Sequence, residues 1–309
     1  MVTGPLIVFL GALMAVGLQT QQPGRPTFRT GVDMVVVNAV VRDHKGRIVP
    51  NLTRSDFELF DSGRPQKIKD FRAGQAPITV ALLFDTSGSM KLASNASAAK
   101  TAADQFLSWL HRGRDQVAVF SFDSTLRELQ GFTRDQERVR SSFARVEEPF
   151  GMTSLRDSIA ETARRVAACG GSHRAVVVFT DGVDNKSRLT PAEVSGIASS
   201  IDVPVYVVAV VSPLDHVAQS TAVVDRKASP AGELMDLARW TGGDAFMSSS
   251  PAQSAQAVRR IVDELRVQYL IAFEPGSTPG WHPLEIRLRD RRFSVRARSG
   301  YFAGQSSGS

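Results

Sequence analysis

Three oxygen-bearing side chains at alternate positions, within the segment Asp85-Thr86-Ser87-Gly88-Ser89, have the spacing best suited to chemistry in this chain. They directly follow the apolar run of residues 78–84, which is typical of a buried strand that ends in a loop. One carboxylate and two hydroxyls, with a glycine that lets the backbone wrap closely, are donors that a hard divalent cation prefers. The loop therefore predicts half of a metal site.

Two further segments supply the rest of the predicted ligand set. Thr153 opens a predicted helix, and Asp181 follows the apolar strand of residues 175–179. In a doubly wound parallel sheet, ligands bind beyond the carboxyl ends of the strands, where the strand order reverses. We therefore expect the oxygen-bearing segments to meet at that edge of the sheet. The predicted metal ligands are Asp85, Ser87, Ser89, Thr153 and Asp181.

The donor chemistry favours Mg²⁺ as the cation. Hydroxyl, carboxylate and water oxygens without histidine or cysteine suit hard cations rather than zinc, and Mn²⁺ or Ca²⁺ are the alternatives. Such a shell leaves one coordination position for an oxygen from another molecule.

The motif residues also have simpler structural interpretations. A lone Asp-x-Ser-x-Ser loop more often only caps a turn, and Thr153 also suits the N-cap of its helix. Asp184 is interpreted as a turn residue rather than as a sixth ligand.

The ordered motif resembles the metal-ion-dependent adhesion site of von Willebrand factor type A (VWA) domains. Its parts are Asp85-x-Ser87-x-Ser89, Thr153 in a Gly-x-Thr-x-Leu context, and Thr180-Asp181-Gly182, within residues 77–265. The resemblance implies that the serines and the threonine contact the metal and that the aspartates act directly or through water. It also implies that an Asp or Glu of a protein partner completes the shell. The flanking sequences, among them YLIAFEP and VRARSGYFA, resemble a bacterial, exported subgroup of such domains.

Alternating strands and helices within residues 76–266 predict the scaffold that positions these ligands. Six apolar strands separated by amphipathic helices predict an α/β fold, a doubly wound, mostly parallel six-stranded sheet with helices on both faces, similar to Rossmann and VWA domains. The segment of residues 126–132 is expected to return antiparallel beside the strand of residues 117–122.

The flanking segments, residues 25–75 and 267–303, carry strand patterns instead. Residues 284–288 and 293–297 alternate apolar and polar side chains and are predicted to form the two arms of a hairpin. Because the N-terminal strands have no second layer of their own, we expect the C-terminal strands to join them. The α/β domain would then be inserted in a small, β-rich, sandwich-like domain. Residues 304–309 are rich in glycine and serine and predict a flexible tail.

Residues 1–24 predict a signal peptide or an N-terminal anchor. The apolar run of residues 6–18 is short for a membrane span and matches the core of a secretory signal, although no Lys or Arg precedes it. The chain is therefore predicted to be exported, to the periplasm, the cell envelope or the medium. The alternatives are an uncleaved anchor or a misassigned start codon. An uncleaved anchor would be the one expected contact with a membrane. The single cysteine, Cys169, excludes an intramolecular disulfide.

Charge and composition argue against nucleic acid as a partner. The net charge of +6 is moderate, and aromatic residues are not interleaved with Lys and Arg at the spacing of single-strand binding. Lys91, Arg156, Lys186 and Arg188 are interpreted either as a basic rim that attracts acidic partners or as solvated surface charge.

The open coordination position favours a protein-binding module over an enzyme. A metal-assisted hydrolase needs a base or nucleophile beside the ion, and none of the five histidines falls in a motif segment. Ser89 lacks a Gly-x-Ser-x-Gly elbow, and Asp85 lacks a second Asp two residues on. The prediction is a non-enzymatic module that binds a protein carboxylate through the metal. A structural component of an envelope assembly is the alternative, and a hydrolase is the less favoured one.

Overall fold

The computed structural model describes residue 1 and residues 34–210 and 230–303. The predicted signal segment beyond Met1 and the predicted tail lie outside the described residues. From Met34 onward the described residues belong to one compact unit. The described strands are β1 Val35–Asp43, β2 Phe57–Asp61, β3 Arg64–Gln66, β4 Asp70–Gly74, β5 Ile78–Asp85, β6 Gln116–Phe122, β7 Leu126–Thr133, β8 His173–Thr180, β9 Val205–Val210, β10 Ala245–Ser248, β11 Gln268–Phe273, β12 Gly280–Leu288, β13 Phe293–Ala297 and β14 Gly300–Ala303. The described α-helices are α1 Asn95–Ser108, α2 Gln136–Ser142, α3 Leu155–Ala168, α4 Pro191–Ser200, α5 Pro230–Trp240 and α6 Pro251–Arg266.

The α/β part of the chain is a six-stranded sheet with the strand order β10-β9-β8-β5-β6-β7. Its strands are parallel except for the edge strand β7, which returns antiparallel beside β6. Side chains of β5 alternate between two cores, because successive residues of a strand point to opposite faces. Leu82 packs in the core that contains α1 and α6, and Leu83 packs in the core that contains α3, α4 and α5. The predicted doubly wound sheet is confirmed.

The strands outside this sheet form two antiparallel four-stranded sheets, with the orders β13-β1-β11-β4 and β14-β12-β2-β3. Each sheet combines N-terminal and C-terminal strands: β1 pairs with β11, and β2 pairs with β12. Their inner faces share one apolar core, to which Val37, Leu59 and Ile271 contribute. The prediction that the α/β domain is inserted in a β-rich domain is confirmed.

The predicted hairpin of residues 284–288 and 293–297 is wrong. The first arm belongs to β12 and pairs with β2, whereas the second arm is β13 and pairs with β1 in the other sheet. Both arms still turn their apolar side chains toward the shared core. Alternation identifies the buried face of a strand, but it does not identify the neighbour with which the strand pairs.

The sandwich joins the α/β sheet at the amino-terminal ends of its strands. Arg298 of the sandwich lies 3.6 Å from Asp202, just before β9. Arg296 lies 2.7 Å from Asp244, just before β10, and also contacts Glu264 near the end of α6. The carboxyl ends of β5 and β8 therefore lie at the opposite end of the sheet. None of the described helices combines the length and hydropathy needed to cross a bilayer.

A buried histidine makes the stability of the sandwich depend on pH. The Nδ1 atom of His282 lies 2.9 Å from Oδ1 of Asp61, and its Nε2 atom lies 2.7 Å from the carbonyl oxygen of Thr278. The Thr278 carbonyl and Asp61 raise the pKa of His282 above its ordinary value of 6.5. A raised pKa in the folded state stabilises the protein fully below about pH 6.5, and this stabilisation is lost as the pH rises through the folded-state value.

We therefore expect the free energy of unfolding of the wild-type protein to fall between about pH 6 and about pH 8.5, and to fall less in His282→Asn. Urea titrations at the two pH values measure both changes. An equal fall in the two proteins would contradict the assignment to His282.

Candidate metal site

Residues 85–89 form a tight loop at the carboxyl end of β5. Asp85 is buried, and its Oδ1 atom accepts a hydrogen bond of 2.9 Å from the backbone N–H of Ser87. Its Oδ2 atom accepts a bond of 2.6 Å from the hydroxyl of Thr180, the last residue of β8. The hydroxyl oxygens of Ser87 and Ser89 lie 3.1 Å apart. The loop thus fixes the carboxylate and places two of the predicted hydroxyl ligands side by side.

The segment before α3 lies directly against this loop. The backbone N–H of Phe150 donates to the carbonyl oxygen of Thr86 over 2.8 Å, and that of Gly88 donates to Gly151 over 3.0 Å. A Cβ atom on Gly88 would lie 3.3 Å from the Gly151 carbonyl oxygen, so a glycine permits this approach. Thr153 follows with 1 % of its surface exposed. No hydrogen bond joins its hydroxyl to another of the described residues.

The loop after β8 completes the arrangement. Asp181 is half-buried, and its Oδ1 atom accepts a hydrogen bond of 3.1 Å from the backbone of Val183. The side chain of Asn185 accepts a hydrogen bond of 2.8 Å from the backbone N–H of Thr153, and the backbone N–H of Asn185 donates a hydrogen bond to the Thr153 carbonyl oxygen. Each loop is thereby hydrogen-bonded to another. All five predicted ligands lie in this cluster at the carboxyl edge of the sheet.

The electrostatics of the cluster suit a cation. Burial raises the pKa of Asp85 from 3.8 to about 6, and the charge of Asp181 raises it too, whereas hydrogen bonds from Ser87 and Thr180 oppose the rise. A buried carboxylate beside a second carboxylate is unfavourable unless positive charge is near. Among the described residues, no group of three or more His, Cys, Asp or Glu is placed to hold a metal. The donors of this cluster are instead three hydroxyls and two carboxylates, which fit a hard divalent cation.

The sequence did not reveal the polar residues that hold the third loop. Besides Asn185, the carboxylate of Asp184 accepts hydrogen bonds from Nε of Arg156 over 2.9 Å and from the backbone of Ser187 over 3.1 Å. Asp184 is thus engaged within its own loop, and Arg156 is paired. The cluster of Asp, Asn and Ser after Gly182 was the available signal, because such side chains often bond to nearby backbone.

Gly182 offers a test of how closely the site depends on its loop. Its φ of +89° lies in the left-handed region, and an added Cβ atom would lie 3.0 Å from Cδ1 of Leu234 in α5. Its N–H also donates to the Thr180 hydroxyl, which holds Asp85. We expect Gly182→Ala to lower the free energy of unfolding by about 1–2 kcal/mol. We also expect it to weaken Mg²⁺ binding several-fold.

Urea titration and calorimetric titration with Mg²⁺ measure these two effects. The matched control is Gly63→Ala in the sandwich, because Gly63 has a φ of +76° but no atom within 4 Å of the added Cβ. The control should lose stability and keep its Mg²⁺ affinity. Unchanged Mg²⁺ affinity in Gly182→Ala would contradict the coupling of this loop to the site.

The fold and the loop cluster together define a doubly wound α/β domain that carries oxygen donors at its carboxyl edge. Residues 80–183 match the family model of the von Willebrand factor type A domain. The matched range includes most of β5, all of β6, β7 and β8, and all five predicted ligands. The chain therefore contains a VWA domain.

Comparison with solved structures finds similarity to proteins from several organisms. A von Willebrand factor type A protein from Catenulispora acidiphila is 15 % identical, with 79 % of this chain and 71 % of that chain covered and a TM-score of 0.49. The conserved hypothetical protein BatB from Bacteroides thetaiotaomicron is 18 % identical, with 60 % and 98 % covered and a TM-score of 0.48. The PilB minor pilin from Streptococcus sanguinis is 13 % identical, with 65 % and 63 % covered and a TM-score of 0.44. Comparison with curated proteins finds no match.

Proposed function

We propose that this chain is an exported, non-enzymatic protein-binding module that uses a divalent cation to capture a carboxylate of its partner. Asp85, Ser87, Ser89, Thr153 and Asp181 would hold the cation, which is Mg²⁺ in the first instance and Mn²⁺ or Ca²⁺ otherwise. When bound, the cation would supply a coordination position for an Asp or Glu oxygen of a partner protein. The observation that carries this proposal is the cluster of three mutually hydrogen-bonded loops at the carboxyl edge of the sheet.

The exposure of the cluster supports a role in contact with other proteins. Asp85, Ser87 and Thr153 are buried, whereas Ser89 and Asp181 are partly exposed, so one side of the cluster is open to solvent. The sandwich joins the opposite end of the sheet and leaves this side accessible. A partner could therefore approach the predicted coordination position without displacing either domain.

The positions of the histidines support a binding role over hydrolysis. His111 and His173 lie at the amino-terminal end of the sheet, where His111 N–H donates to Asp115 just before β6 and His173 begins β8. His44 follows β1, and His282 lies in β12, both in the sandwich. His216 lies outside the described residues. None of the four described histidines therefore lies at the carboxyl edge of the sheet, where a general base beside the predicted cation would be needed.

Capture of a partner from envelope extract tests the proposal. The full chain is expected to retain its partner in Mg²⁺ and to release it in EDTA. Asp181→Asn should abolish capture, since it removes one predicted ligand charge at a partly exposed position. Asp263→Asn is the matched control, because Asp263 is an exposed aspartate in α6 that is paired with Arg259. Capture that persists unchanged in EDTA and in Asp181→Asn would refute the metal bridge and favour a structural role in an assembly.

Export is the part of the proposal that depends on residues 1–24. The mature N-terminus is expected to begin after the apolar run if the segment is a cleaved signal. Mass spectrometry of fractionated cells measures it. Intact Met1 on protein recovered from the cytoplasm would contradict export.

A further inference from the structure

We infer that the partner segment carries a large apolar side chain next to its ligating carboxylate, and that this side chain packs on Phe150, Met152 and Val183. These three residues are called the apolar rim. The inference rests on the proposed function, because the rim residues belong to the loops that carry the site at which the partner carboxylate would bind.

The apolar rim is unusually exposed. The exposed fractions are 78 % for Phe150, 48 % for Met152 and 40 % for Val183. Only ten large hydrophobic residues are exposed among the described residues, and these three lie in the loops that carry the predicted ligands. Single exposed apolar residues are ordinary, but a group of them around a polar site marks an interaction surface.

Hydrogen bonds of the site itself hold the rim in place. The backbone of Phe150 donates to the Thr86 carbonyl inside the first loop. Val183 donates to the carboxylate of Asp181. Met152 directly precedes Thr153. The three rim residues are therefore adjacent in the chain, or hydrogen-bonded, to residues of the predicted metal site.

The charges around the rim specify an acidic partner segment. The Nζ atom of Lys91 lies 5.8 Å from the centre of the Phe150 ring. Lys91, Lys186 and Arg188 are exposed, and none of them makes an ion pair with a described residue. On the acidic side, Glu147 is paired with Arg127 at 3.3 Å, which leaves Glu148 as the exposed acid closest in sequence to Phe150.

The surface therefore combines unpaired positive charge with exposed apolar area. A segment with an Asp or Glu flanked by a large apolar residue and by further acidic residues complements both features. Such a segment belongs to a partner protein. A second copy of this chain is the competing occupant, and the experiment below distinguishes the two.

A defined peptide library tests this inference. Peptides of about seven residues, with a fixed central Asp and randomised flanks, are selected on the immobilised full chain in Mg²⁺ and eluted with EDTA. The expected result is enrichment of a large apolar residue within one or two positions of the Asp, together with further acidic residues. The strongest peptide then serves as the probe for variants.

Phe150→Ser is expected to weaken binding of this peptide about tenfold, and Met152→Ser several-fold, since both remove exposed side chains that become buried on binding. Met34→Ser is the matched control, because Met34 is 37 % exposed but precedes β1 in the sandwich. It should bind the peptide as the wild type does. All three variants should keep wild-type Mg²⁺ affinity in calorimetry.

The outcomes separate this inference from the proposed function. Mg²⁺-dependent acidic peptides without apolar enrichment, bound equally by Phe150→Ser and wild type, would overturn the inference and leave the proposed function in place. A selection in which EDTA releases no enriched peptides would overturn both. If sedimentation shows a dimer of the full chain that Phe150→Ser dissociates, a second copy occupies the rim and the inference is overturned.

Discussion

Asp85→Asn should abolish measurable Mg²⁺ binding and, at the same time, make the metal-free protein more stable at neutral pH. The carboxylate is 2 % exposed and lies near the charge of Asp181, so it is costly without a cation. An asparagine of nearly the same shape removes the charge and keeps an oxygen that can accept the Ser87 N–H. The same substitution therefore removes a principal ligand and relieves an unfavourable buried charge.

The direction in which the stability of the metal-free protein changes with pH follows from the raised pKa of Asp85. Because the pKa of Asp85 is 3.8 before folding and about 6 in the folded protein, the folded state favours the protonated form. The associated stability is fully present below about pH 4 and is lost as the pH rises through about 6, by roughly 3 kcal/mol in total. In EDTA the wild-type protein should thus lose stability between about pH 4 and pH 7, and Asp85→Asn should not.

Urea titrations in EDTA and calorimetric titrations with Mg²⁺ measure the two halves of this prediction. Asp263→Asn serves as the control for removal of an exposed carboxylate and should change neither quantity appreciably. Saturating Mg²⁺ should restore the stability of the wild type at neutral pH and leave Asp85→Asn unchanged. An Asp85→Asn protein that binds Mg²⁺ normally would contradict the assignment of Asp85 as a ligand.

Asp115→Asn should lower the free energy of unfolding by about 3–5 kcal/mol, because it breaks a buried ion pair on one side only. The guanidinium of Arg266 donates to both carboxylate oxygens of Asp115, over 3.0 and 2.6 Å. The same carboxylate accepts the backbone N–H groups of Ile78 and His111, over 2.9 and 2.7 Å. Asp115 is 2 % and Arg266 8 % exposed, so solvent replaces little of what is lost.

The position of this ion pair explains why its loss should affect the whole chain. Ile78 begins β5 and Arg266 ends α6, which are the two points at which the chain passes between the sandwich and the α/β sheet. Asp115 holds both points together. The variant should therefore unfold the two domains less cooperatively as well as more easily.

Urea denaturation followed by both circular dichroism and tryptophan fluorescence tests this prediction. Asp70→Asn is the matched control, because its ion pair with Arg72, at 3.0 Å, is exposed on the edge strand β4. Such a pair contributes about 1 kcal/mol at most. If Asp115→Asn loses no more unfolding free energy than Asp70→Asn, the ion pair between Asp115 and Arg266 is not required for stability.

The features that the sequence predicted are those set by local patterns. The order of Asp85, Thr153 and Asp181 along the chain, each beside a strand or helix boundary, was enough to predict that their loops meet at one edge. Periodic apolar residues were enough to predict the six-stranded sheet and the β-rich flanks. Both patterns depend on neighbours within a few residues.

The features that the sequence did not predict depend on contacts between residues distant in the sequence or on the solvent exposure of a side chain. The pairing of β12 with β2 and of β13 with β1 follows from packing two sheets around one core, and alternation alone does not specify it. Asp115 and Arg266 are 151 residues apart. Phe150 has the character of a core residue, and only the structure shows that its side chain faces solvent beside the site.

Anomalous diffraction from crystals of the full chain grown with Mn²⁺ is the most direct test of the proposed cation site. We expect one strong peak enclosed by oxygens of Ser87, Ser89 and Thr153, with Asp85 and Asp181 next to it or joined to it through water. The peak should be absent from Asp85→Asn crystals. A peak elsewhere on the molecule, or no peak at a Mn²⁺ concentration that saturates binding in solution, would contradict the account.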